Sequence, residues 1–129
     1  MILAIDPGKY KCGLALLNED GRIVAKKVAA SKEISGEVER LIAGQTVATI
    51  VIGDSKFGKD VEKELSGLPA RANLIFISEK DSTRLAREQY WRENPPAGLM
   101  KLIPTSLRFP PVPVDDLAAV ILAERYLNS

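Results

Sequence analysis

The chain predicts an α/β domain: a five-stranded mixed sheet, three antiparallel strands followed by parallel ones, flanked by helices. Three observations predict it. Five short apolar runs are separated by turn chemistry. The first three follow one another closely, as a meander does. The last two alternate with helical stretches, as parallel strands must when a crossover joins them.

Residues 2–5 (ILAI) read as a fully buried strand that runs into Asp6 and a Pro7-Gly8 turn. Residues 13–17 (GLALL) return as the second strand. Asn18-Glu19-Asp20-Gly21 has the composition of a hairpin turn, and residues 22–29 form the third strand. Ser31 is placed to cap a helix to about residue 42, with Val38, Leu41 and Ile42 on one face and Gly36 weakening its start. Residues 48–52 (ATIVI), ending at Gly53-Asp54, carry the continuous apolar run of a central buried strand. A short helix follows over 59–65, then another buried strand over 74–77 (LIFI), ending at Ser78-Glu79. Asp81 can cap a helix over 82–92. Residues 94–113 hold six of the eight prolines and predict a long irregular connection, a length that in compact domains marks function or mobility. A last helix spans about 114–127, with Val114, Leu117, Ala118 and Ile121 facing inward.

The 129 residues fit a single domain, large enough to bury roughly 65–70% of its unfolded surface. With 18 basic and 17 acidic residues the net charge is +1, so any attraction to nucleic acid must come from a local patch. The absence of His excludes Ser-His triads, His metal ligands and His acid–base chemistry. The single cysteine, Cys12, excludes an intrachain disulfide and a Cys-cluster zinc site. It sits in an apolar run, as a core cysteine does, and fits a reducing cytoplasm. No signal peptide or long apolar span is visible, so a soluble, cytoplasmic protein is expected.

Acidic groups stand at equivalent places. Asp6 ends the first strand, Glu79 ends the last, and Asp115 and Asp116 open the final helix. Ligands of open α/β sheets bind outside the carboxyl ends of the strands. If the first and last strands run the same way, Asp6 and Glu79 share one rim, and a helix starting over it brings Asp115 into reach. Two like charges about 4 Å apart repel by roughly 4 kcal/mol at an effective dielectric near 20. Three close carboxylates therefore require a cation, and a hard divalent ion with oxygen ligands, Mg²⁺ or Mn²⁺, suits them. Each residue also has a plainer role. Asp6 before Pro7-Gly8 fits a turn, Glu79 a solvated strand–helix turn, and Asp115 or Asp116 a helix first turn favoured by the macrodipole. Helical periodicity does not choose between Asp115 and Asp116.

Asp6-Pro7-Gly8 with Gly13 resembles the opening strand pair of RNase H-like nucleases of the RuvC class. Ser78-Glu79-Lys80-Asp81-Ser82-Thr83 resembles the acidic segment of the YqgF/RuvX family of pre-16S rRNA nucleases and Holliday-junction resolvases. Val114-Asp115-Asp116-Leu117-Ala118-Ala119 with Ile121-Leu122 resembles that family's closing helix, and Ile50-Val51-Ile52-Gly53 its central strand end. The resemblance extends over essentially the whole chain. It implies an RNase H-like fold and catalytic residues Asp6, Glu79 and Asp115. These would hold Mg²⁺ or Mn²⁺, with Asp116 as an auxiliary ligand. It implies hydrolysis of phosphodiester bonds in structured nucleic acid, either a ribosomal RNA precursor or branched DNA such as a Holliday junction, and it allows a homodimer. The alternative is a catalytically inactive nucleic-acid-binding or scaffold module on the same fold. Asp6-x-Gly8 with Gly13 is also similar to the phosphate hairpin of actin-like ATPases and sugar kinases, which enclose nucleotide between two domains, more than 129 residues are expected to supply.

Basic residues gather near the expected rim. Lys9, Lys11, Lys56, Arg84 and Arg108 are the candidate phosphate contacts, with Lys59, Lys80, Arg87 and Lys101 nearby. An ordinary solvated surface would look the same. Tyr10 could stack on a base, whereas Trp91 reads as packing.

Overall fold

The computed structural model describes residues 1–67, 72–95, 98, 102, 110 and 113–128. Five strands form one sheet: β1 (Ile2–Asp6), β2 (Lys11–Leu17), β3 (Ile23–Ala30), β4 (Thr49–Gly53) and β5 (Asn73–Ile77). Their order is β3-β2-β1-β4-β5. β1, β2 and β3 form the antiparallel meander, with Asp6 opposite Gly13 and Ile2 opposite Leu17. β4 runs parallel to β1, and β5 parallel to β4 with Gly53 beside Ile77. The carboxyl ends of β1, β4 and β5 therefore meet the start of β2 along one rim.

The helices are α1 (Ile34–Ile42), α2 (Gly58–Leu65), α3 (Ser82–Glu93) and α4 (Asp115–Leu127). Strand alternation sends neighbouring side chains to opposite faces. Leu3, Ile5, Leu14, Leu16, Ile50 and Ile52 pack under Ile34 and Val38 of α1 and Val61 and Leu65 of α2. Ile2, Ala4, Ala15, Leu17 and Val51 face α4 through Ala119, Val120, Leu122 and Ala123. A further layer lies outside α4, where Ala86 of α3 meets Leu117, Ala118 and Ile121. Cys12 is fully buried in the first core, as its apolar setting predicts.

Three local differences from the sequence expectation have physical causes. The Ser31 hydroxyl does not cap α1. It donates to the Gly8 carbonyl at 2.8 Å and lies 3.4 Å from the Cys12 sulfur, and residues 31–33 form a 3₁₀ turn ahead of α1. Asp81 makes no side-chain cap either. It takes a left-handed conformation (φ 63°), bending the chain between β5 and α3. β5, read as a buried strand, is the edge strand: Leu74 and Phe76 lie beside Ile50 and Ile52 on the α1/α2 face, and at the sheet margin those helices leave them exposed. Most of the Pro-rich connection lies outside the described residues. Among the described residues, no helix is long and apolar enough to cross a membrane.

Candidate carboxylate site

Asp6 is brought to the rim by strand pairing alone. Its neighbour across the β1–β2 hairpin is Gly13, and an added Cβ at Gly13 would overlap the Asp115 backbone carbonyl. The absent side chain at Gly13 is what lets the first turn of α4 sit directly on the hairpin. Gly53 does the same for the third carboxylate: a Cβ there would overlap the Glu79 side chain, which lies across the end of β4. Two glycines, on the strands either side of β1, thus seat the two acids that flank Asp6.

Electrostatics record the meeting. Burial, then the Glu79 carboxylate, then the Asp115 carboxylate push the Asp6 carboxyl from its usual 3.8 up to about 7. Glu79 is also raised, chiefly by burial and further by Asp54. The Ser55 backbone and hydroxyl face Glu79 and favour its ionised form, yet neither the Ser55 hydroxyl nor Glu79 Oε1 closes a hydrogen bond, and both atoms are buried. Glu79 Oε1 is thus a buried acceptor beside the Ser55 backbone and hydroxyl that closes no hydrogen bond with either. Asp54 steadies the turn by accepting the Glu79 backbone N–H at 3.0 Å.

Asp115 has a partner of another kind, the Lys11 ammonium at 3.3 Å. Asp116 makes a local contact. Its Oδ1 accepts the Leu117 N–H at 2.9 Å, a helix-start contact, and it is not among the charges acting on Asp6. The expected triad Asp6, Glu79 and Asp115 is therefore brought together, while Asp116 is held by its own helix.

The donor chemistry fits a hard divalent cation: three carboxylates, all oxygen, one with an orphaned atom. The resting arrangement does not close on one. Among the described residues, no group of three or more Asp, Glu, His or Cys side chains is disposed to hold a metal ion by itself.

The basic candidates divide. Lys11 is at the rim, on Asp115. Lys9 lies over the ring of the exposed Tyr10 (5.2 Å), and Lys56 over Phe57 (5.1 Å). Arg84 runs along α3, bonded to Glu88 at 3.0 Å and 3.8 Å from Asp81, so its charge is spent locally. Arg108 and Lys101 fall outside the described residues. Trp91 stands edge-on to Tyr90 at 5.0 Å, as a packing residue does. A cleft of about 200 Å³ beside Asp115 is lined by Lys11, Thr83, Arg87 and Val114, together with Pro110 and Pro113.

Sequence reasoning missed Arg125. From the far half of α4 it donates to the carbonyls of Ser78 and Lys80, each at 2.6 Å, gripping the backbone on either side of Glu79. A separation of 47 residues and a backbone partner leave no sequence signal for such a contact.

No protein-family profile and no curated protein matches the chain. Among solved structures, it is similar to a ROK family transcriptional regulator, described as a homolog of the E. coli MLC protein, at a TM-score of 0.45 and 11% identity. The match covers 69% of this chain and 30% of that one, so the chain spans less than a third of that structure's length. The YqgF/RuvX assignment is corrected accordingly: no family profile matches the chain, and the solved structure named above is described as a transcriptional regulator. The nuclease, resolvase and rRNA-processing roles of that family therefore do not transfer. The physical reason lies in the motifs. Each is an acid or glycine at a strand end or helix start, where such residues recur for local reasons.

Proposed function

We propose that the rim is a divalent-cation-dependent site that hydrolyses phosphodiester bonds in nucleic acid, with Asp6, Glu79 and Asp115 as its catalytic carboxylates. The sheet order β3-β2-β1-β4-β5 supports an RNase H-like reading of the fold. The observation that carries the proposal is the crowding of three acids from β1, the β5–α3 turn and α4, with Asp6 pushed up to about 7 and Glu79 Oε1 left without a partner. Such a cluster is under electrostatic load until a cation relieves it.

Asp6, Glu79 and Asp115 would hold Mg²⁺ or Mn²⁺, which when bound activates water and neutralises charge on a phosphoryl group. The chain's own contributions are positional. The β1–β2 pairing fixes Asp6, Gly53 and Asp54 seat Glu79, and Gly13 admits the α4 start. Lys9, Lys11 and Lys56 supply positive charge for a phosphate backbone at the same rim. Structured RNA and branched DNA are the substrates to try first. A cytoplasmic location, where the one buried cysteine stays reduced, and a homodimer belong to the same proposal.

A second reading, a catalytically inactive nucleic-acid-binding module, is favoured by one observation: the acids do not enclose an ion as they stand, and Lys11 already sits on one of them. Calorimetric titration with Mn²⁺, followed by incubation with a hairpin RNA and a four-way DNA junction, separates the two. Hydrolysis predicts Mn²⁺ binding and cleavage, both lost in Asp6→Asn. Indifference to Mn²⁺ and to Asp6→Asn, with steeply salt-dependent nucleic-acid affinity, establishes the binding module instead.

A further inference from the structure

Lys11 is the first residue of β2, directly across the hairpin from the end of β1, and its ammonium lies 3.3 Å from Asp115 Oδ2. Its side chain is 53% exposed and that of Asp115 30% exposed, so the pair is wet and easily exchanged. The same lysine lines the cleft with Thr83 and Arg87, which gives its flexible stem open space to move into. Of the three rim acids, Asp115 is the one with an ion-pair partner among the described residues.

We infer that Lys11 is a built-in counter-cation that competes with the divalent ion for Asp115, so that metal binding at this rim is an exchange rather than a simple addition. The inference rests on the metal-site reading above. A carboxylate already neutralised by an ammonium offers less to Mg²⁺ or Mn²⁺, and the exchange weakens metal affinity until something else, such as a phosphate, takes the lysine. Lys11 is on this view a positioning residue that sets the metal affinity of the rim, acting through Asp115.

The test is Mn²⁺ binding without nucleic acid, followed by calorimetry or by the loss of the free-ion electron paramagnetic resonance signal. Lys11→Met is expected to bind Mn²⁺ about three- to tenfold more tightly than the parent at low ionic strength, because one competing charge contact is gone. Lys11→Arg, which keeps the charge, should stay near the parent. Lys9→Met removes the same charge from the same hairpin without touching Asp115, and should change the affinity by much less. Equal or weaker Mn²⁺ binding in Lys11→Met overturns the inference, as does an equal gain in Lys9→Met, which would reduce the effect to general surface charge. Binding in neither parent nor Lys11→Met overturns the metal-site reading beneath it as well. Binding in Lys11→Met alone is the strongest support. Thermal unfolding in chelator checks that the variants fold.

Discussion

Gly13 and Gly53 show how a missing side chain can define a site, and they fail differently. At Gly53 the obstacle to a Cβ is the mobile end of Glu79, so Gly53→Ala should displace the carboxylate while changing stability by no more than about 1 kcal/mol. Mn²⁺ affinity should fall sharply with urea unfolding nearly unchanged. At Gly13 the obstacle is the backbone of Asp115 and Asp116, which the packing of α4 holds in place. Gly13→Ala should destabilise by about 1–3 kcal/mol or more, seen as a lower urea midpoint. Asp6 gives a pH signature. Its carboxyl ionises near 7 when folded and near 3.8 when unfolded, so the folded state holds the extra proton between those values. Stability therefore falls as pH rises from about 4 to about 7, by at most about 4 kcal/mol, and is flat above. Asp6→Asn removes the load. It should be more stable than the parent by about 1–3 kcal/mol near pH 8 in chelator, with the difference closing near pH 4. A parent protein whose urea midpoint is level across that range would contradict the crowding.

α4 serves the site twice. Its first residue is Asp115, and Arg125 near its end grips the carbonyls of Ser78 and Lys80 around Glu79. Arg125→Ala removes two charge-assisted hydrogen bonds from a partly solvated position, for a loss of about 1–2 kcal/mol. Because Glu79 is then free to drift, Mn²⁺ affinity should drop while the Lys11–Asp115 pair persists, and Arg125→Lys should restore only part of it. Unchanged affinity in Arg125→Ala would mean that Asp54 alone is enough to hold the turn. The helix also marks what periodicity can and cannot show. The face expected to point inward, Val114, Leu117, Ala118 and Ile121, is the one α3 covers, while the sheet takes Ala119, Val120, Leu122 and Ala123, so residues 117 to 123 are all buried. The strands were legible for a related reason. Those under two helical layers, β1 and β4, read as continuous apolar runs, and β5 looked the same although it lies at the margin. A four-residue apolar run records what a strand could bury, not what covers it.

In the folded chain as a whole, the acids were legible because each stands at the end of an element, and a parallel crossover sheet gathers such ends on one side. Their supports were not, since Gly53, Asp54 and Arg125 act through space on a turn far away in sequence. The family was not legible either: short acid and glycine motifs recur at strand ends and helix starts for local reasons, and no family profile matches the chain. What connects the rim to the stability of the whole molecule is linkage. A ligand that binds only the folded state stabilises it by about 2.7 kcal/mol at a hundred times its dissociation constant. For a chain of 129 residues that corresponds to a rise in Tm of roughly 10 °C. Saturating Mn²⁺ should therefore raise the Tm of the parent by about that amount and leave Asp6→Asn where it was in chelator. The comparison is informative because the two effects oppose each other. Near pH 8 in chelator Asp6→Asn should melt above the parent, and in Mn²⁺ that gap should close or reverse, since only the parent exchanges electrostatic load for a bound ion. If the difference in Tm between the parent and Asp6→Asn is the same with and without Mn²⁺, the crowded carboxylates are not a cation site.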